Sequence, residues 1–539
     1  MKGINIHRNG LSWNAGDSER GTGNRKNSKK ETKDKKPSKM EMIQHDVLKS
    51  RYNRFYSQER SLTLLLIAAV KRLYPEYDIV VQCRFAGGMY CTSYRNDPNG
   101  NHRIALDYVA VEREMHAIVD AENQIEIVEW SKEKTLEYLQ EHDAHGAKRL
   151  IERLTVDTVR LWQLSGSTVW FPGELELDIH SIGNFGLEPF AEGFVLRLPD
   201  RKDSSRLAPF KPSDRLFSAL MQTKDWGVRT RVYDIGTLNI QIENDPTGLI
   251  LTSEALHEQH LTDVTRELVS KMPETRVVLI AGPSSSGKTT FSRRLAIQLR
   301  AQAIHSIPVQ LDDYFRNRTY CPKDEFGNYD FEHFDCVDRE MLNKDVALLL
   351  SGEKVTLPKF DFITGQSQRT GNSVQLRENE VLILEGIHGL NPSLLTEIQA
   401  GHIARIFVSE LTNLNIDVHS RIPTSDIRLI RRLVRDYRTR GHTPQSTLSR
   451  WESVRRGEDR WIFPYQDNAD MLFNSALPYE IASMKARALR LLGMVDYTGM
   501  GEEHGNRIRS MLELVLPIEP KAIPLDSVIR EFIGGGVWE

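Results

Sequence analysis

The chain has 539 residues, 40% of them hydrophobic and 27% charged, with a formal net charge of −3. That length exceeds one ordinary domain and predicts two to four units of globular composition. The small net charge excludes a whole-protein field for nucleic acid or anionic membrane. Cys83, Cys91, Cys321 and Cys336 are the only cysteines and form no CxxC. That excludes a disulfide scaffold and fits a reducing compartment. The longest apolar run, Leu62 to Val70, is interrupted by Thr63 and is short of the ~20 residues a spanning helix needs. With no signal-peptide stretch at the start, a cytoplasmic protein without membrane contact is expected.

Between Arg20 and Lys39 there are nine Lys or Arg against two acids, spaced by Gly, Ser, Asn and Thr. Such a segment buries too little apolar surface to offset its ordering entropy, so residues 1–45 are expected to be a disordered basic tail with at most weak RNA contact. Ser61 is expected to cap a helix that Pro75 stops near Tyr74. Strands are expected at Ile79–Cys83, Met89–Ser93 and Gly193–Leu198, with further pieces at Arg103–Val109 and Ile125–Val128 and a helix over Lys132–Leu154. Residues 50–205 thus read as an α+β domain. Residues 206–270 read as a connector with a helix over Leu251–Met272. From 271 to 495 short β-rich runs (Val277–Ala281, Val309–Leu311, Val381–Leu384, Ala404–Val408) alternate with helices, which implies a parallel α/β sheet. Residues 496–539 read as a C-terminal extension with one amphipathic stretch, Arg507–Val515.

Gly282-Pro283-Ser284-Ser285-Ser286-Gly287-Lys288-Thr289 satisfies G-x-x-x-x-G-K-[ST], with an apolar run before it and a helix after it. Glycines let the backbone curl so that successive N–H groups face one anion. The following helix, which Thr290 joins, adds its positive end. Lys288 supplies a cation for the β/γ-phosphates and Thr289 a hydroxyl for Mg²⁺. ATP or another NTP, with Mg²⁺, is therefore expected.

Asp312 and Asp313 follow a strand, and ligands of parallel sheets sit beyond the carboxyl ends of strands. Adjacent acids point opposite ways, so one of them faces the loop, where a carboxylate can accept the proton of an alcohol. The apolar strand ending in Glu385-Gly386 reads as a second carboxylate beside the metal. Arg428, Arg431, Arg432 and Arg435 fall at i, i+3, i+4 and i+7, on one helix face. Four unpaired guanidiniums repel, so that stripe is expected to face a polyanion. The segment Arg428 to Arg440 is expected to close as a lid that excludes water.

Gly282–Thr289, Asp312, Tyr329-Asp330, Pro358–Phe362, Glu385-Gly386 and Arg428–Gly441 resemble, in order and spacing, the uridine kinase and phosphoribulokinase family. The resemblance implies an α/β phosphate-loop kinase. It makes Asp312 the general base, also near the metal, and Thr289 and Glu385 metal-site residues. Asp330 becomes the acid that holds the ribose hydroxyls, and Phe360 and Phe362 become aromatics of the nucleoside site. Arg432, Arg435 and Arg440 become arginines that contact substrate or phosphates. Pro322–Glu332, Glu385–Asn391 and Ser453–Glu458 resemble a bacterial-type subgroup with a threonyl-tRNA-synthetase-like domain ahead of the kinase. Residues 58–200 resemble that synthetase's editing-type domain, through Arg60–Leu66 and Ala86–Tyr90.

Two departures bear on specificity. Phe360 and Gly365 stand where family members carry a Tyr and a His that read the pyrimidine edge. His442 stands for a lid arginine and Arg450 for a glutamine. In the N-terminal domain, Arg60 and Leu64 replace both histidines of the hydrolytic opening, so that domain is expected to be non-catalytic, with His180 and Cys91 as packing residues. The expected reaction is ATP-dependent phosphorylation of a nucleoside 5′-hydroxyl. A sugar or sugar-phosphate kinase, or an RNA-associated nucleotide-binding regulator, are the alternatives. An oligomer is compatible with all three.

Overall fold

The structure, a computed structural model, describes residues 39–95, 105–323, 327, 329–361, 364–412, 414–496 and 501–539. Residues 48–539 form one compact unit. The basic segment expected to be a tail lies outside the described residues up to Lys39, where a helix begins.

That helix, Lys39–Leu73, runs through Ser61 instead of starting there. The Ser61 hydroxyl donates to the carbonyls of Ser57 and Glu176, 2.9 Å each, and caps nothing. The helix stops two residues before Pro75, as the proline's missing N–H requires. A four-stranded antiparallel sheet follows, in the order Asp78–Phe85, Gly88–Tyr94, Gly193–Arg197 and Gly186–Phe190. A three-stranded sheet joins Glu126–Ser131, Thr158–Leu164 and Ser167–Val169. Of the piece expected at Arg103–Val109, residues 103 and 104 lie outside the described residues, and Tyr108 and Val109 open a helix, Tyr108–Ala121, instead of a strand. The helix expected over Lys132–Leu154 breaks into Lys132–Glu141 and His145–Arg153 at Asp143, whose φ is +53°.

The C-terminal half is built on a five-stranded sheet, ordered Met471–Asn474, Ile403–Ser409, Val277–Ala281, Glu380–Glu385 and His305–Gln310. Every pairing is parallel. The central strand is fully buried, as helices on both faces require. Residues 206–270, expected to be a connector with a helix over Leu251–Met272, carry that helix and two more. They form the helices Asp214–Thr230, Ile235–Asn244 and Pro246–Ser270. Leu261, Val264 and Leu268 of the last one pack with Phe291 and Leu295 on one face of the parallel sheet. The C-terminal extension carries a helix, Glu502–Glu513, at its expected amphipathic stretch, and Ile508, Met511, Leu512, Ile529 and Phe532 share one apolar core with Leu429, Ile430 and Leu433.

Asn415 joins the two halves. Its side-chain amide donates to the Val81 carbonyl (2.8 Å) and accepts from Lys224 Nζ (2.7 Å). Its backbone exchanges hydrogen bonds with Tyr233 and Ile235. Nearby, Arg421 forks onto Glu59 with bonds of 2.7 and 2.9 Å.

Candidate active site

Strand register fixes the level of the site. Glu385 pairs with Ile280 on one side and Gln310 on the other. The loop that starts at Gly282 and the turn that holds Asp312 therefore leave the sheet at the same edge as the Glu385 carboxylate, beyond the carboxyl ends of three adjacent strands.

The loop curls as its glycines allow. A Cβ on Gly282 would run into the Val408 carbonyl, and Gly287 has a φ of +82°. Ser285 also sits in the left-handed region, at φ +60°, a strained setting for a serine and typical of functional turns. The hydroxyls of Ser285 and Ser286 are buried without a hydrogen-bond partner among the described residues. Within the helix Lys288–Ala301 the first i→i−4 bond runs from Phe291 to Gly287, so the amides of Lys288, Thr289 and Thr290 have no acceptor inside it. Lys288 Nζ folds back onto the Pro283 carbonyl at 3.1 Å. Pro283 thus supplies a carbonyl rather than a donor to the loop.

Thr289 Oγ1 donates to Glu385 Oε2 at 3.2 Å. Burial pushes the Glu385 carboxyl up to about 7, with Asp312 and Glu531 adding to the rise and Lys288 opposing it. Burial likewise raises Asp312, against the pull of Lys288 and Arg440. Asp313 turns away to Lys359 (3.0 Å). No group of three or more His, Cys, Asp or Glu among the described residues is placed to hold a metal. A hydroxyl with one or two carboxylates is the donor set that Mg²⁺ takes when phosphates and water complete its shell, and Thr289, Glu385 and Asp312 fit it.

The arginine helix, Thr424–Thr439, departs from the expected polyanion-facing stripe. Arg428 forks onto Glu458, with Nη2 to Oε2 at 2.8 Å, and Arg431 Nε meets Glu480 at 2.5 Å. Both guanidiniums are within 1% of full burial. They also donate to the carbonyls of Ser284 and Ser285, at 3.1 and 3.4 Å, so they brace the loop from behind. This helix is core rather than a hinged lid, because Ile427, Leu429, Ile430, Leu433 and Val434 are buried too. Arg432 Nη1 donates to Ser284 Oγ at 2.7 Å. Arg432, Arg435 and Arg440 converge on one carboxylate, Asp436, at 3.3, 2.7 and 3.7 Å.

Residues 277–482 match the family model described as Phosphoribulokinase / Uridine kinase family. A uridine kinase from Macrococcus caseolyticus is 25% identical over 40% of this chain and 98% of its own length. One from Tolumonas auensis is 28% identical over 41% of this chain and 97% of its own. A solved structure from Bacillus stearothermophilus, a possible uridine kinase, is 18% identical over 40% of this chain and 98% of that one, with a TM-score of 0.26. Residues 277–482 are a phosphoribulokinase/uridine kinase family domain. The chain is a phosphotransferase with an alcohol acceptor.

Within this kinase domain, Asp330 and Glu332 of the segment after Cys321 sit in different surroundings. The Asp330 carboxylate accepts the Glu332 N–H at 3.2 Å, a turn contact. Glu332 has its carboxyl pushed up to about 7 by burial, with Arg432 opposing and Glu458 and Asp312 adding to the rise. Acids two apart in an extended stretch share a face only if the chain stays extended, and here it turns; the sequence reading gave the role to Asp330 and none to Glu332. Phe360 is in the core, 5.7 Å from the Phe315 ring, and is 3% exposed. Phe362 lies outside the described residues. At Gly365 a Cβ would meet the Arg318 side chain at 2.7 to 3.0 Å, so Arg318 fills the space that a larger residue would need. Glu458 is a further missed residue: burial favours its protonation, but Arg428 and Arg455 outweigh that and hold it below the usual range. It lies within the quoted Ser453–Glu458 motif, which gave it no role.

Proposed function

We propose that the chain phosphorylates the hydroxyl of a ribose-containing acceptor, a nucleoside 5′-hydroxyl, with ATP as donor. The observation that carries this reading is the convergence of the loop, Asp312 and the Thr289–Glu385 pair at the ends of three adjacent strands. Asp312 takes the acceptor proton; a carboxyl raised by burial is a stronger base once ionised. Lys288 and the amides of Gly287, Lys288 and Thr289 hold the β- and γ-phosphates. Thr289, Glu385 and Asp312 would hold Mg²⁺, which neutralises phosphate charge when bound. Arg432, Arg435 and Arg440 face the transferring group: three cations against the single Asp436 leave a surplus of positive charge. Glu332, in place of Asp330, is the acid for the acceptor diol.

The same surplus, with Arg318 packed at Gly365, favours a second reading in which the acceptor is a sugar phosphate. The pyrimidine-reading partners are absent at Phe360 and Gly365, and a site without them imposes little penalty on a wrong base. End-point phosphorylation across nucleosides, ribose and ribulose 5-phosphate separates the readings. In the same assay Asp312→Asn is expected to lose roughly 10²–10⁴ in turnover with ATP binding nearly intact; full activity would remove Asp312 as base.

Residues 58–200 are, in this reading, a non-catalytic relative of the synthetase editing domain, retained for assembly with the kinase. Arg60, where a ligand imidazole is expected, instead donates to the Glu174 carbonyl at 2.8 Å. Leu64 is buried. The cytoplasmic location rests on the cysteine usage; the described residues contain no helix long and apolar enough to cross a membrane.

A further inference from the structure

Two protein carboxylates already occupy amides of the phosphate loop, and they differ in kind. Glu458 Oε1 accepts the Ser284 N–H at 3.1 Å, but Arg428 and Arg455 neutralise it inside the core. Glu531 comes from the other end of the chain. Its Oε2 accepts the Thr290 N–H at 3.3 Å and the Thr290 hydroxyl at 2.8 Å. Among the described residues no cation lies within ion-pair distance of it. It is half-buried, on the short helix Arg530–Ile533.

The backbone that carries Glu531 is held firmly. Arg438 donates to the Glu531 carbonyl (2.8 Å) and the Phe532 carbonyl (3.2 Å). Ile529 and Phe532 are fully buried. Val528 stands where a Cβ on Gly287 would point. Arg293, one turn along the loop helix, donates to the Trp538 carbonyl at 3.3 Å. The segment Pro520–Glu539 therefore lies against the start of the loop helix, with the Glu531 carboxylate on the Thr290 donors.

The first-turn amides of such a helix are its anion donors. We propose that Glu531 is a built-in competitor for the donor site: its carboxylate takes the Thr290 donors in the empty enzyme, and an incoming phosphate must displace it. The inference rests on the reading of the loop as an NTP site. Displacement needs a side-chain rotation alone, since the backbone is anchored. Glu531 thereby sets donor affinity from outside the residues matched to the family.

The test is calorimetric titration of the full-length protein with ATP and with ADP. Glu531→Gln keeps the shape and removes the charge, and is expected to bind both about 10-fold more tightly than wild type, the scale of a partly buried anion at a helix start. Equal or weaker binding by a folded Glu531→Gln overturns the proposal, weaker binding pointing to a metal-ligand role. Hydrogen exchange on the wild-type protein decides independently if the variant does not fold. The amides of 528–533 and Thr290 are read with and without ADP. Slower exchange at Thr290 with unchanged exchange at 528–533 is expected, since only the Glu531 side chain turns away; protection of 528–533, or no change at Thr290, overturns it. Failure of wild type, Glu531→Gln and Lys288→Ala alike to bind any nucleotide would instead remove the NTP reading itself.

Discussion

Arg428 and Arg431 share a helix with Arg432 and Arg435, and Arg440 caps its end, yet the two sets answer to different partners. The inner pair is matched one for one by Glu458 and Glu480 and is sealed from solvent. The outer three divide one carboxylate, Asp436, whose proton they hold off against the effect of burial. Spacing alone puts Arg428, Arg431, Arg432 and Arg435 on a common stripe; charge count separates them. A guanidinium with its own buried acid holds structure, whereas a group with excess positive charge beside a phosphate loop is available to an anion.

Breaking the inner pair should have the largest effect. Arg428→Ala leaves Glu458 buried and short of charge, so urea unfolding should show a loss of roughly 3–5 kcal/mol. A change under ~1 kcal/mol would mean that Arg455 alone satisfies Glu458. The outer set should respond in the opposite currency. Arg432→Ala is expected to lower turnover about 10²-fold while costing only ~1 kcal/mol of stability, because Asp436 keeps Arg435 and Arg440. Loss of stability without loss of turnover would merge the two sets. Arg440 is half exposed and screened by salt, so Arg440→Ala should raise the KM for donor or acceptor several-fold, most visibly at low ionic strength.

The slightest signal is a slope. Glu410, close to Glu480 and Arg431, has its carboxyl pushed up to about 8 by burial and by Glu480. Between the unfolded carboxyl value of ~4.3 and about 8, the folded state holds a proton that the unfolded chain has released. Stability should therefore fall as pH rises through that window and level off above it. Glu410→Gln cannot ionise and should flatten the curve; an unchanged slope in thermal melts would remove Glu410 as the source.

Much of the kinase half was legible because its signals are local. The loop needs glycines at fixed offsets, and Asp312 and Glu385 sit at strand ends that the apolar runs mark. The arginine partners were not legible: Glu458 and Glu480 follow their arginines by 30 and 49 residues, and no periodicity links such distances. Asp330 and Glu332 differ by a turn that composition does not reveal. The helix over Pro246–Ser270 was expected at Leu251–Met272, whereas Asp214–Thr230 and Ile235–Asn244 were not, and their partners lie far along the chain, as does Glu531.

Asn415 shows how the protein must be handled. One side chain and its peptide group bind the N-terminal sheet at Val81, the helix bearing Lys224 and the turn at Tyr233–Ile235 together. Excising the first two hundred residues would remove the Val81 acceptor and uncover an amide that is buried in the whole chain. A truncated kinase would then report on damage at that joint, so its silence in an assay would say nothing about what the missing piece does.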